Sequence, residues 1–506
     1  MEVCDPCWTC RNRRIQCDQS GTPCAKCEKA GLECFDKRPF RWVKGVAIRG
    51  KMQGRSYEGK TGDSPSAVDP VRSPAKKPRA LVKSIASGGT LPIALQDPST
   101  SHLDQVSKYY IDYYNERICK LFIVYDSDKN PLRSLIPFGM KEPILQKAIL
   151  ALAARHHANS GQSFYQLEAP TSPGLINANR DALLFKHQAM EALSRALGNA
   201  NSNSSKKDTT VASIFLLIFL DLLESGSDGW NFHLEGAKSL ISSQRLLLGD
   251  SGVNNGPGQT VREIRGFIAK QIHLIETLGA TFLRPKLLSE FIFADQEESS
   301  SQEAIEKSFL GCPEYLLTAI QFLSSERDTI AGSKLDQAAV QTHIQDTTAM
   351  LSLIRNFDCY AWASSLQHSR QSSPNEISNL CSLSQAYKIG ALIYGRRVLD
   401  ALTEDVTLQD DLISELLGLI DALKEDEALF KCILWAIFVA GLECRTHAQR
   451  DFLVGCLEKF WVATSCLNVV NAANILRDWW QQEDKLEVSS RWIFDIGRLG
   501  RDWLLI

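Results

Sequence analysis

Apolar residues recur at helical spacing from about residue 101 to residue 506. Two neighbouring segments show the intervals of three and four residues that line one face of a helix. The positions are Ile144, Leu145, Ala148, Ile149 and Leu152 in the first segment and Ala182, Phe185, Ala189, Ala192, Leu193 and Ala196 in the second. The best β-branched run, LFIVYD over residues 121–126, is equally consistent with the end of a helix. The pattern therefore predicts an all-α body.

This pattern is absent before residue 101. Residues 37–100 contain seven prolines among many glycines and serines, which prevents any sustained helix. Residues 1–36 are rich in cysteine and too short to build a hydrophobic core. We predict three parts: a small cysteine-rich module over 1–36, a disordered, basic, Pro/Gly-rich linker over 37–100, and an all-α body over 101–506.

Composition excludes several classes of protein. The 506 residues are 44% hydrophobic and 23% charged, as in soluble globular proteins. No run of 18 uncharged apolar residues occurs, so we expect no membrane span. The N-terminal residues lack the apolar region of a secretory signal, and we expect a protein that stays inside the cell.

Charge is distributed unevenly along the chain, although the net charge is only -3. Residues 1–83 hold 18 Lys and Arg against 9 Asp and Glu, which leaves 38 against 50 for the remainder. The first part therefore carries +9 and the rest -12. A basic end on an acidic body indicates a polyanionic partner for that end.

Cysteines follow the same division, because seven of the 15 lie within residues 4–34. The other eight are scattered among apolar residues, and we expect them to be ordinary buried free thiols. CWTCRNRRIQC (7–17) and CAKCEKAGLEC (24–34) share the spacing C-x2-C-x6-C, with Ile15 and Leu32 at matching places. The segment is an internal duplication.

Zinc explains this duplication better than disulfides do, because C-x2-C pairs have the spacing of metal ligands and no secretory signal precedes them. No histidine occurs before His102, so every protein ligand in the segment must be sulfur. One tetrahedral zinc would leave two thiolates unused. Two zincs need eight ligand positions, which six sulfurs supply if two of them bridge both metals. Cys4 also allows a shifted pair with Cys7, but that frame breaks the duplication.

The spacing C-x2-C-x6-C-x6-C-x2-C-x6-C, with basic residues after the second cysteine and Pro23 in the central loop, resembles the fungal Zn2Cys6 binuclear zinc-cluster transcription regulators. The resemblance implies a small metal-organised Zn2Cys6 module over 1–36, with two Zn²⁺ ions and bridging thiolates at Cys7 and Cys24. It also implies that the all-α body over 101–506 is a regulatory domain. The expected metal ligands are Cys7, Cys10, Cys17, Cys24, Cys27 and Cys34.

The two halves of the duplication differ in charge. The first half carries three arginines and no acid, whereas two lysines and two glutamates cancel in the second. These residues are Arg11, Arg13 and Arg14 in the first half and Lys26, Lys29, Glu28 and Glu33 in the second. We expect the first half to face double-stranded DNA, although the arginines could simply neutralise the cluster. The resemblance implies that Arg13 and Arg14 approach the bases of a CGG-type triplet and that Arg11 contacts phosphate.

The linker begins with seven cations and no acid over residues 37–55, including Lys44 and Arg49. We expect these two residues to contact DNA phosphates, while an apolar flap docked on the cluster or the body is an open alternative. The prolines exclude the heptad coil that follows the cluster in many relatives. We therefore expect the protein to bind DNA as a monomer or to pair through its helical body. Residues 76–79 (KKPR) resemble a nuclear-import patch.

Three segments of the body resemble the fungus-specific regulatory domain found behind such clusters, namely 230–240, 386–399 and 434–453. Within the first, Gly236 and Ala237 are expected to permit close helix crossing behind Trp230, and His233 to be a core histidine. The acidic residues of 403–427 fit either an activation surface or a solvated amphipathic helix.

Two functions compete for this sequence. One is a nuclear, sequence-specific regulator of RNA polymerase II genes whose body contacts co-activators or co-repressors. The other is a zinc protein whose cluster serves protein contact or metal storage. The uneven arginines favour the regulator, because storage needs no directional positive face. No catalytic motif occurs in 101–506, so we expect no enzyme.

Overall fold

The computed structural model describes residues 7–13, 15–19, 23–35, 103–165, 172–198, 204–227, 229–248, 259–284, 305–332, 336–366, 374–483, 492–496 and 501–506. The chain divides into two compact units, residues 1–84 and 85–506. The linker predicted over 37–100 lies outside the described residues.

The first unit contains two short helices, α1 (Trp8–Asn12) and α2 (Ala25–Lys29). Each begins after a cysteine in extended conformation, with φ -60° and ψ 150° at Cys7 and φ -71° and ψ 149° at Cys24. The duplicated sequence therefore gives a duplicated backbone.

The second unit is built from helices. They are α3 (Gln105–Tyr113), a π-helical turn (Tyr114–Ile118), α4 (Cys119–Leu121), α5 (Pro131–Ser134), α6 (Ile136–Gly139), α7 (Pro143–Asn159), α8 (Pro173–Gly198), α9 (Ser204–Glu224), α10 (Trp230–Leu248), α11 (Gln259–Ala280), a 3₁₀ turn (Ile305–Lys307), α12 (Glu314–Gly332), α13 (Gln337–Asn356), α14 (Cys359–Ser365), α15 (Pro374–Thr403), α16 (Asp410–Leu423), α17 (Glu427–Phe430), α18 (Leu434–Glu443), α19 (His447–Thr464), α20 (Leu467–Glu483) and α21 (Trp492–Asp495). In the described residues, β pairing is limited to one isolated bridge between Ser227 and Trp503. The prediction of an all-α body is confirmed.

Side chains mark several helix ends. The Asp104 carboxylate accepts a hydrogen bond from Ser107 N at 2.6 Å and caps α3. Thr446 and Gln449 form a reciprocal capping box at the start of α19. At the other end of α19, Ser465 adopts a left-handed conformation with φ 51°. The sequence thus sets both ends of this helix locally.

α18 lies at the centre of the second unit, and all ten of its residues are buried. The Trp435 indole packs on α15 where Gly390 leaves room, since a Cβ at that glycine would lie 2.6 Å from the ring. Trp435 Nε1 donates a hydrogen bond to Thr281 Oγ1 at 3.0 Å, which satisfies its one polar group.

One local expectation, that Gly236 permits close helix crossing, needs correction. Gly236 has open space where a Cβ would stand, so it does not permit close helix crossing, whereas Gly279 of α11 approaches Trp230 with 2.9 Å from its ideal Cβ to the ring. Ala237, the other small residue named for that crossing, is fully buried. Within residues 121–126, α4 ends at Leu121 and a bend follows, which supports the interpretation as a helix end.

Among the described helices, none combines the length and the apolar character that a bilayer span requires. The acidic stretch 403–427 includes α16, whose Ile413, Leu416 and Ile420 are buried while Asp411 and Glu415 are exposed. An amphipathic helix therefore accounts for most of this stretch.

Candidate metal centre and nucleic-acid interface

The structure brings the sulfur atoms of the six predicted cysteines together around the two short helices. Cys7 Sγ lies 3.8 Å from both Cys24 Sγ and Cys27 Sγ. Cys10 Sγ lies 3.7 Å from the same two atoms, and Cys17 Sγ lies 3.9 Å from Cys7 Sγ. The contacts of Cys7 join residues 17 and 20 positions apart and so close the duplicated segment on itself.

The six sulfur atoms form two overlapping sets of four. One set is Cys7, Cys10, Cys17 and Cys24, and the other is Cys7, Cys24, Cys27 and Cys34. Within each set all sulfur atoms lie within 4.8 Å of one another. Tetrahedral zinc with Zn–S bonds of about 2.3 Å needs sulfur atoms roughly 3.8 Å apart, which agrees with the shortest distances. The donor set therefore fits two zinc ions that share two sulfurs.

Helix starts position these sulfurs. Cys7 is the N-cap of α1, and its Sγ accepts a hydrogen bond from Cys10 N at 3.4 Å. That backbone donor lowers the pKa of the Cys7 thiol. Burial instead raises the pKa of Cys10 to about 12, so its thiol is protonated at neutral pH without metal. Zinc loading must therefore release protons.

Backbone hydrogen bonds repeat in the two halves with the same offsets. Ile15 N donates to Cys10 O at 3.2 Å, and Leu32 N donates to Cys27 O at 3.0 Å. The left-handed backbone of Gly31, with φ 60°, allows the second of these turns. The duplication seen in the sequence is thus a duplication of fold.

Further hydrogen bonds join the two ends of the segment. Trp8 N donates to Phe35 O at 2.6 Å, and Thr9 Oγ1 donates to Glu33 O at 2.8 Å. Lys26 Nζ donates to Gln16 O at 2.6 Å, which ties the second half to the chain after α1. Sequence reasoning missed this role for Lys26, because its partner is a backbone oxygen and no residue pattern marks it.

Of the five basic residues predicted to contact DNA, the structure describes two. Arg11 lies in the last turn of α1, Arg13 is its C-cap, and both are exposed. Arg14, Lys44 and Arg49 lie outside the described residues. On the second half, Lys29 is exposed, while Glu28 and Glu33 are exposed acids.

The scattered cysteines of the second unit are all free, as expected. Seven of the eight are buried, and Cys381 is half-buried. Their thiols are far from activated: burial raises the pKa of Cys119, Cys432 and Cys466 to about 12. Nothing in this set indicates a nucleophile or a second metal site.

His233 is largely buried beside an acid, in line with the expectation of a core histidine. Its Nε2 lies 3.7 Å from Asp221 Oδ2. Burial lowers the pKa of His233 to about 4 and raises that of Asp221 to about 7. Asp221 lies on α9 and His233 on α10, so the two groups face each other between these helices.

Comparison with known proteins agrees with both parts of the chain. The model of the "Fungal specific transcription factor domain" matches residues 109–506, and that of the "Fungal Zn(2)-Cys(6) binuclear cluster domain" matches residues 5–42. The acriflavine sensitivity control protein acr-2 of Neurospora crassa is 25% identical over 446 residues, which cover 82% of this chain and 68% of the relative. Transcription factors phomR and phomR' of Diaporthe leptostromiformis are each 37% identical over 60 residues, or 12% of this chain and 9% of theirs. No solved structure matches the chain significantly.

Proposed function

This chain belongs to the fungal-specific transcription factors that carry a Zn(2)-Cys(6) binuclear cluster, and from that premise we propose which residues hold the metals and which contact DNA. The family makes it a DNA-binding transcription regulator with two zinc ions. Both matching families are transcription factor domains and not enzymes. The details below go beyond the family assignment.

The proposed metal ligands are the six cysteines of the two overlapping sets. Cys7 and Cys24 would bridge the two ions, because they are the members common to both sets. Cys10 and Cys17 would complete one tetrahedron, and Cys27 and Cys34 the other. When bound, the zinc ions supply the crosslink that holds a segment too small for an apolar core.

The proposal that the first half of the cluster faces DNA rests on the difference in charge between the two halves. The exposed Arg11 and Arg13 stand at the end of α1 with no acid in their half. In the second half, Lys26 is engaged on Gln16 O, and the exposed Glu28 and Glu33 would repel phosphate. Of the described residues in this unit, those of the first half thus offer the more positive face.

Each basic residue has a separate proposed role. Arg13 and Arg14 would donate to guanine O6 and N7 of a CGG-type triplet in the major groove, where a bidentate arginine adds roughly 1–3 kcal/mol of discrimination. Arg11, Lys44 and Arg49 would contact phosphates, which position the protein without selecting sequence.

The second unit would contact co-activators or co-repressors, and the protein would act on RNA polymerase II genes in the nucleus. The basic residues 76–79, outside the described range, would serve nuclear import. A fluorescent fusion carrying alanines at Lys76, Lys77 and Arg79 tests import, and unchanged nuclear accumulation would reject that patch.

Arg14→Ala in the full chain tests the base contacts. It should reduce the preference for the proposed triplet over other triplets by about tenfold or more, because one bidentate contact is lost. Lys29→Ala is the matched control in the second half and should leave the preference unchanged. Equal preference in Arg14→Ala and the unmodified protein would show that the first half does not face the bases.

Lys44→Ala and Arg49→Ala test the phosphate contacts in the same assay. Each should weaken binding to all sequences alike and lower the slope of log affinity against log salt by up to about 0.9 per contact. A change in triplet preference in either variant would contradict a role confined to phosphate.

A further inference from the structure

The two halves of the cluster segment are related by an approximate two-fold axis. Cys7 Sγ lies 3.8 Å from Cys27 Sγ. The equivalent pair, Cys24 Sγ and Cys10 Sγ, lies 3.7 Å apart. Exchanging the halves therefore leaves these sulfur contacts unchanged, as a two-fold axis requires. If the symmetry extends beyond the sulfurs, other contacts between the halves should also occur twice.

One such contact does occur twice, although the residue types differ. Thr9 and Lys26 occupy the same place in the two C-x2-C pairs. Gln16 and Glu33 are likewise equivalent, since each precedes the third cysteine of its half. Thr9 Oγ1 donates to Glu33 O at 2.8 Å. Lys26 Nζ donates to Gln16 O at 2.6 Å. These two hydrogen bonds, the crossed ties, each join one half to the main chain of the other immediately before its third cysteine.

The third cysteines, Cys17 and Cys34, are the more exposed ligands of the cluster. Both are half-buried, whereas the other four cysteines are buried. The buried four are N-caps or members of α1 and α2. Cys17 and Cys34 lie beyond these helices, in the described stretches 15–19 and 32–35, which have neither helical nor strand structure. Main chain of this kind depends on contacts from elsewhere for its position, and the crossed ties supply one at each third cysteine.

Thr9 makes a second contact with the same stretch. Phe35 N donates to Thr9 Oγ1 at 3.1 Å, so the hydroxyl joins Glu33 O to Phe35 N. These two atoms lie on either side of Cys34 along the chain. Thr9 therefore holds both neighbours of Cys34, although it belongs to the half that contains Cys17.

Lys26 acts on the half that carries the arginines. Arg13 is the C-cap of α1, and Gln16 lies three residues further along the chain. The hydrogen bond from Lys26 to Gln16 O therefore fixes the far end of the turn that begins at Arg13. Arg14 belongs to this turn in the sequence. A recognition side chain is precise only when the main chain that carries it is held by surrounding contacts.

We propose that Thr9 and Lys26 are positioning residues that act across the cluster, each on the third cysteine of the opposite half. Thr9 holds Cys34, and Lys26 holds Cys17 together with the turn that carries the arginines. The consequence for DNA rests on the proposed function, because it requires the first half to read the triplet. The consequence for the cysteines does not.

Alkylation of the zinc-loaded full chain with iodoacetamide, followed by peptide mass spectrometry, measures how firmly each cysteine is held. Lys26→Met removes the donor, and Cys17 should then react about fivefold faster, because one hydrogen bond is lost. Thr9→Val removes the hydroxyl at nearly constant shape and should accelerate Cys34 by at least as much, since two hydrogen bonds are lost. In each variant the other third cysteine should stay within about twofold of its original rate.

Conservative variants and a matched lysine are the controls. Lys26→Arg and Thr9→Ser keep a donor at the same place and should leave all rates within about twofold of the original. Lys29→Met removes the same charge from the same helix without breaking a crossed tie, and it should also leave the rates unchanged. Unchanged rates in Lys26→Met and Thr9→Val, or equal acceleration of both third cysteines, would overturn the proposal. So would acceleration confined to the cysteine of the substituted half.

Selection of triplets by the same variants tests the consequence for DNA. Lys26→Met should lower the preference for the proposed triplet by about fivefold, whereas Thr9→Val should leave it within about twofold. The slope of log affinity against log salt should not change in Lys26→Met, because the lysine binds Gln16 O and not a phosphate. A lower slope with unchanged preference would assign Lys26 to a phosphate and overturn its positioning role.

The Arg14→Ala variant separates failure of this inference from failure of the proposed function. If Arg14→Ala lowers the triplet preference and Lys26→Met does not, the tie to Gln16 O does not position the residues that read DNA. If neither variant changes the preference, the first half does not read the bases. The alkylation rates of Cys17 and Cys34 then decide alone whether the crossed ties hold the ligands.

Discussion

Two of the six clustered cysteines differ from the other four because they belong to both sets of sulfur atoms. Cys24→Ala in the full chain should therefore lose zinc from both sites, whereas Cys17→Ala removes a ligand from one set only. Metal analysis should find two zinc ions per chain in the unmodified protein, fewer in Cys17→Ala, and fewest in Cys24→Ala. Cys381→Ala, which changes a half-buried thiol of the other unit, is the control and should keep two. Equal zinc content in Cys17→Ala and Cys24→Ala would contradict the shared sulfur.

Asp221 is a buried acid whose ionisation costs stability. Burial raises its pKa to about 7, and Asp221 Oδ2 has no hydrogen-bond partner among the described residues. His233, Lys186 and Glu224 are the titratable groups around it. The pKa of Asp221 in the folded state lies above its value of about 3.9 in the unfolded chain. The protonated carboxyl therefore contributes fully to the free energy of unfolding below about pH 4, and this contribution is lost as the pH rises to about 7.

The substitution Asp221→Asn should remove the decrease in the free energy of unfolding that accompanies ionisation of Asp221. Between pH 5.5 and 7, the free energy of unfolding of the unmodified protein should fall relative to that of the variant by about 1–2 kcal/mol. Denaturant titration at the two pH values measures the difference. The same pH dependence in both proteins would show that Asp221 is already ionised at pH 5.5.

At the scale of helices, substituting alanine for each of two glycines in the second unit should have opposite effects on stability. Gly390 of α15 lies against Trp435, and a Cβ there would come within 2.6 Å of the ring, while Gly418 of α16 is exposed with open space around it. Gly390→Ala should destabilise the fold by about 1–3 kcal/mol through overpacking, and Gly418→Ala should stabilise it by up to about 1 kcal/mol through helix propensity. Thermal unfolding of both variants is the measurement, and a stabilised Gly390→Ala would contradict the packing of α15 on α18.

Local pattern predicted the helices well and their contacts poorly. The spacing of apolar residues predicted the segments that form α7 and α8, and the cysteine spacing predicted six sulfurs that the structure brings together. The glycine that admits Trp230 is Gly279 and not Gly236, because the choice depends on a helix 49 residues away. The tie from Lys26 to Gln16 O depends likewise on where the folded chain returns. Periodicity carries no information of that kind.

At the scale of the whole molecule, the boundary between the basic and acidic parts of the chain coincides with the boundary between the two compact units. The basic part of the chain holds the cluster, and the acidic remainder forms the helical unit. The cluster that the family uses to bind DNA thus lies in the basic part of the chain. We expect sequence recognition to depend on the zinc-loaded first half of the cluster.

Selection from a pool of random duplex DNA by the full chain measures whether recognition depends on the loaded cluster. The zinc-loaded protein should enrich sites that contain a CGG-type triplet, and a chelator that removes zinc should abolish the enrichment, because the metals hold the arginines in place. The Arg13→Ala variant should recover sites with a weaker triplet preference. Enrichment of a sequence without the triplet, or the same enrichment after zinc removal, would show that recognition does not depend on the zinc-loaded first half.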